Sequence, residues 1–251
     1  MESYAAAQQV YVAGLVFARV GAMVMTIPGL GEQPAPAQVR LGFALLVAMV
    51  VGPVAAPALG PLPDTVGGLF GAVIKEVLIG LMIGAILRMF LGSLATAGEI
   101  MSIQTSLSFA QTVNPAQAQQ GSSLASFLSL IGVVLIMTTD LHHMFIAAIA
   151  RSYTLFPAYK PLPVHDATTL AIQTFSGSFA LAVQLSAPIL VFSLVFNIAT
   201  GLVGRAMPQF QIFFAATPLQ VLLGLSLFAL SLGTIGMVWT SRYRDLLGRF
   251  V

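Results

Sequence analysis

Cysteine is absent from this chain and charge is nearly so: 7% of its 251 residues are Asp, Glu, Lys or Arg, against 58% hydrophobic. The first absence excludes disulfides and thiolate metal sites. The second excludes a water-soluble globule, which would carry about 25% charged residues. A mean hydropathy of +0.96 marks an integral membrane protein instead. The bases are scattered and the formal charge is only +2, so the clustered footprint of a nucleic-acid binder is missing. Phosphate loops, dinucleotide fingerprints and serine elbows are missing too. Neither an energising nor a hydrolytic function is expected, and no cofactor. The opening MESYAAAQQVYVAGLVFARV has no basic leader, so a cleaved secretory signal is not expected.

What the chain has is long apolar runs, several of which reach or nearly reach the roughly 20 residues that a crossing helix needs. They cover Val10–Ile27, Leu41–Leu59, Val66–Ala97, Leu124–Met137, Leu141–Ala150, Ala167–Gly204 and Ala206–Ser241. The fold class is therefore all-α, with some six membrane helices, several kinked by proline. The run from Val66 is too long for one simple span. Between Arg151 and Asp166, Pro157, Pro161 and Pro163 mark a rigid connection that divides a larger front part from a smaller back part. In the tail, Arg242, Arg244 and Arg249 outnumber Asp245, which by the basic-residue rule favours a cytoplasmic C-terminus.

Arg19, Glu76, Arg88 and Glu99 fall within or beside these runs. A charge at the centre of a lipid-facing helix costs at least about 2.5 kcal/mol, so each is expected to face protein or water. Glu76 and Arg88 are roughly 18 Å apart along one helix axis and cannot pair with each other; each needs a partner on another helix or subunit. Gly80 and Gly84, four residues apart, flatten one helix face for close packing, within the chain or against a subunit. Gly201 and Gly204 beside Arg205 form a second such face.

The uncharged stretch Ile100–Thr139 opens on the polar tract MSIQTSLSFAQTVNPAQAQQGSS, residues 101–123. Lipid would penalise its amides and hydroxyls by several kcal/mol each if they were unsatisfied, so the tract is expected to line a water-filled cavity or lie against other proteins. Asn114-Pro115 is a turn former, and Gly121 loosens the backbone after it. Leu107 and Phe109 could supply apolar contact in a reversible seal. A plain extramembrane loop has the same composition. Asp140, His142 and His143 resemble metal ligands in type, but adjacent histidines are expected to point to different sides of a helix, so no metal site is expected there. His165-Asp166 reads as surface.

Several stretches resemble the FliR/YscT/EscT/SpaR family of type III export-gate proteins, on its flagellar branch: FARVGAMVMTIPGLG (17–31), VRLGFALLVA (39–48), KEVLIGLMIG (75–84), AGEIMSIQTSLSFAQTVNP (97–115), DLHHMFIAAIARSY (140–153) and APILVFSLVFNIATGLVGRAMPQFQIFF (187–214). The resemblance implies a FliP-like helical part over 1–160 fused to a FliQ-like helical hairpin over 161–251. It implies one copy in an inner-membrane complex with FliP and FliQ, joined by the switch protein FlhB at the flagellar basal body, exporting unfolded flagellar subunits. It also implies that the loop from about Ser106 to Ser122 plugs the pore, with Ser106, Phe109, Gln111, Asn114, Pro115 and Gly121 in that role. A small-solute or proton-coupled transporter, with Arg19, Glu76, Arg88 and Glu99 as the path, is the alternative.

Overall fold

The computed structural model describes residues 2–28, 36–108, 122–158, 160–161, 164–207 and 212–251. Seven α-helices account for most of them: α1 (Glu2–Thr26), α2 (Ala37–Ala55) with a 3-10 turn behind it (Ala56–Ala58), α3 (Val66–Gln104), α4 (Ser123–Thr138), α5 (Leu141–Leu155), α6 (Val164–Ala206) and α7 (Ile212–Leu247). Five are long and apolar enough to cross a membrane, and α4 with α5 makes a sixth if counted as one broken span. The chain is thus an all-α, multi-span membrane protein.

Local chemistry sets several of the boundaries. Pro28 follows the end of α1, and Pro57, Pro61 and Pro63 crowd the connection from α2 to α3, where missing amide donors and fixed φ angles disfavour helix. Pro53, Pro188 and Pro218 nevertheless sit inside α2, α6 and α7, a habit membrane helices tolerate. With 39, 43 and 36 residues, α3, α6 and α7 measure about 58, 65 and 54 Å. Each is about twice the roughly 30 Å of hydrocarbon in a bilayer.

By packing, the chain forms two compact units. The first takes Met1–Phe90, Ile136–Phe175 and Tyr243–Val251; the second takes Leu91–Leu135 and Ser176–Arg242. In the first, Val16, Val20 and Met23 of α1, and Ile27 just past its end, are buried at helical spacing, with Ile79, Ile83 and Leu87 of α3 and Phe145 and Ile149 of α5. Tyr243 is fully buried here; its hydroxyl donates to the Leu87 carbonyl at 3.3 Å, and its ring meets Phe90 and Phe145 at centroid distances of 5.4 and 6.1 Å. Gly80 and Gly84 let α1 come close. A Cβ on Gly80 would lie 2.5 Å from the Arg19 carbonyl oxygen, and one on Gly84 would collide with the Thr26 hydroxyl.

In the second unit the rear of α3 packs on α4. A Cβ on Gly98 would lie 2.5 Å from the Ala125 Cα, so the two backbones touch. Buried Trp239 of α7 donates its indole N–H to the Ser93 hydroxyl at 3.2 Å, and Phe127 and Phe228 meet edge-on at 6.1 Å.

Candidate functional site

Two polar clusters stand out against the apolar background, one in each unit. The first is built on Arg19, which with Glu76 is buried to 0–1% exposure. Its Nε donates to Glu76 Oε2 at 2.5 Å and its Nη2 to Oε1 at 2.9 Å. The remaining donors reach the end of α5: Nη1 to the Ser152 carbonyl and Nη2 to the Phe156 carbonyl, both at 2.8 Å, with a longer contact from Nη1 to the Ser152 hydroxyl. The guanidinium also lies 4.1 Å from the centre of the Tyr153 ring. This fork geometry is what arginine supplies and lysine cannot. One side chain therefore neutralises Glu76, adds a second donor to the Ser152 carbonyl, which already accepts the Phe156 N–H, and meets the Phe156 carbonyl just past the helix end, where positive charge is favoured, clamping α1, α3 and α5. Next to it Lys75 donates to the carbonyls of Ala158 and Lys160, tying down the connection after α5. A proton path through Arg19 and Glu76 would have to break the clamp.

The second cluster brackets the polar tract. α3 ends at Gln104, whose carbonyl accepts the Gln220 side-chain amide of α7 at 2.8 Å. The Gln104 side-chain oxygen accepts the Ser193 hydroxyl of α6 at 2.7 Å, and Asn197 donates to Ser193 in turn at 3.2 Å. Thr105 is buried, its hydroxyl returned to the Met101 carbonyl and its methyl against Gly224, where any Cβ would collide. Ser106 then takes φ 59°, a left-handed conformation that helix ends normally give to glycine or asparagine. At the far end of the tract the half-buried Glu99 accepts the Ser122 N–H at 2.7 Å. Ser122 itself caps α4, its hydroxyl accepting the Ala125 N–H at 3.1 Å. A carboxylate and a serine at a helix N-terminus satisfy orphan donors and favour the dipole. Both ends of the tract are thus pinned by residues of the second unit.

Of the residues singled out in the sequence, Ser106 sits at the first bend of the tract, while Phe109, Gln111, Asn114, Pro115 and Gly121 lie outside the described residues. Glu99 belongs to the second cluster and Arg19 and Glu76 form the first. Arg88 and Arg205 are exposed on this chain, so the chain by itself does not bury them. Gly80 and Gly84 face α1, whereas Gly201 and Gly204 have open space where a side chain would go. The histidine expectation needs correcting: the rings of His142 and His143 lie side by side, centroids 4.1 Å apart. The helix backbone sets the two Cβ atoms about 100° apart, so the side-chain rotamers bring the rings together.

Gln104, Ser193 and Gln220 were missed in the sequence as anchors. For Ser193 and Gln220 the signal is a lone amide or hydroxyl in an uncharged apolar run, where a polar group needs a partner; Gln104 was read only as one amide of the polar tract.

Comparison with known proteins agrees with the resemblance in the sequence. The family model described as "Bacterial export proteins, family 1" matches residues 10–246. The flagellar biosynthetic protein FliR of Caulobacter vibrioides is 63% identical over 250 residues, covering 100% of both chains. That of Escherichia coli is 32% identical over 84% of this chain and 80% of its own length, and that of Bacillus subtilis 25% identical over 89% and 87%. Since the match runs from α1 to the end of α7 and takes in both polar clusters, the chain belongs to family 1 of the bacterial export proteins and, within it, to the flagellar FliR proteins.

Proposed function

We propose that this chain is a single-copy structural and gating component of the flagellar type III protein export gate, and that its tract Ser106–Ser122 closes the channel through which unfolded flagellar subunits are secreted. The observation that carries the reading is the mounting of the tract: an amide- and hydroxyl-rich segment starts at Gln104, held by two other helices, and ends at Ser122, held by Glu99. Fixed ends with a polar span between them suit a plug that yields to a passing polypeptide and reseals.

Membership among the flagellar FliR proteins supports an inner-membrane site in the basal body and a hetero-oligomer with FliP, FliQ and FlhB. So does the exposed apolar surface. On α6 it runs from Ile172 through Phe179, Val191 and Ile198 to Leu202, about 45 Å along the axis. Lipid covers roughly 30 Å, which leaves the rest for protein. In that assembly Arg88 and Arg205 meet charges of neighbouring subunits, and Gly201 and Gly204 receive a neighbouring helix. Residues 1–160 form the FliP-like part and 161–251, with the long α6 and α7, the FliQ-like hairpin. The basic tail supports a cytoplasmic C-terminus.

Native mass spectrometry of the complex purified through this chain tests the reading. One copy accompanied by several copies of two smaller, unlike membrane proteins is the expected composition. A monomer or homodimer without them would refute the assignment in favour of a transporter.

A further inference from the structure

Where α4 gives way to α5, three metal-ligating side chains stand together that neither the export function nor the fold uses. Asp140, His142 and His143 each bring one ligand atom, and the three atoms lie within 4.8 Å of one another. Asp140 occupies the N-cap position of α5, where an aspartate ordinarily accepts a backbone N–H, yet its side chain makes no capping hydrogen bond. Its oxygen instead lies 3.6 Å from Nδ1 of His143, beyond an ordinary hydrogen bond. The Nδ1 atom of His142 is shielded from solvent and has no hydrogen-bond partner among the described residues. A pair of histidines kept for helix capping would show such bonds.

We propose that Asp140, His142 and His143 form a site for a borderline divalent transition-metal ion, zinc above all. Two imidazole nitrogens and one carboxylate oxygen are a donor set suited to zinc, nickel or copper, and three protein ligands leave a fourth position for water or a group from a neighbouring subunit. A tetrahedral ion with bonds of about 2.0–2.2 Å needs the ligand atoms drawn together. Asp140 and His143, with side chains 78% and 69% exposed, have the freedom to turn inward, while the left-handed backbone at Asp140 already aims the carboxylate at the first turn of α5. The bound ion locks that turn and stabilises the folded chain by mass action.

The test uses the complex purified without a polyhistidine tag, titrated with Zn2+ by calorimetry and with Co2+ by visible absorption. One equivalent of Zn2+ per copy of this chain is expected, at a site unaffected by His165→Ala, weakened at least tenfold by Asp140→Asn or His143→Gln, and abolished in His142→Gln/His143→Gln. Absence of uptake by the parent complex, or equal uptake by the double variant, overturns the proposal. Should the variants fail to assemble, the unaltered complex still decides: Zn2+ should slow diethyl pyrocarbonate modification of His142 and His143 by more than tenfold and leave the exposed His165 reactive, whereas equal protection or none at the three histidines refutes the site.

Discussion

The two polar clusters solve the same problem, a polar group among apolar helices, by opposite means. Around Arg19 every strong donor and acceptor is used, both charges are wholly buried, and three helices depend on one guanidinium. Around the polar tract each tie is a single bond: one amide to the Gln104 carbonyl, one hydroxyl to its side chain, one carboxylate to the Ser122 N–H. Separating a buried ion pair strands a charge at a cost of about 3–5 kcal/mol, while one neutral hydrogen bond is worth about 1 kcal/mol and one to a charged group such as the Glu99 carboxylate about 1.5–3 kcal/mol. The first cluster is therefore the stronger fastening, and the ties at the two ends of the tract are the weaker ones.

The sharpest way to break that contrast is to remove one member of the ion pair. Arg19→Ala or Glu76→Ala should destabilise the chain by about 3–5 kcal/mol and abolish co-purification of the complex, with Arg19→Met/Glu76→Leu recovering much of the loss because no charge is then stranded. Normal recovery of the complex with either single variant would show the pair to be dispensable. Replacing residues 109–121 by a short Gly-Ser link, with Ser122 and Glu99 kept so that α4 retains its cap, should leave the complex assembled but conduct small ions in planar bilayers. Conductance at the parent level would remove the tract from the gate. Smallest in energy are the ties at the ends of the tract. Glu99→Gln and Gln220→Ala should each cost about 1 kcal/mol, leaving the melting temperature of the complex little changed while brief ion openings appear in single-channel records; a large drop in melting temperature with a silent channel would make these residues fastenings like Arg19.

Periodicity and composition made the helices legible, along with the polar interruption at 101–123 and the charges that had to be hidden. Hydropathy could not tell that the run from Val66 continues as one helix to Gln104, because a helix covered by protein and one crossing lipid have the same apolar composition. The close approach at Gly80 and Gly84 was legible as a spacing, and its partner α1 was not. Gln104, Ser193 and Gln220 passed unnoticed because 116 residues separate Gln104 from Gln220, and a single amide carries no pattern of its own.

The amino-acid order alone determined that this is a membrane protein of helices, that a neutral polar segment interrupts them, and that Arg19 and Glu76 could not face lipid, since transfer free energies depend on residue type and local spacing. Pairing depended on the tertiary structure: that Arg19 closes on Glu76 and on the last carbonyls of α5, that Glu99 holds the start of α4, and that Asp140, His142 and His143 share one corner. The first two rest on hydrogen-bond geometry at about 3 Å between groups far apart in the chain, and the third on side-chain rotamers at a helix start, and only the folded chain brings such atoms within reach.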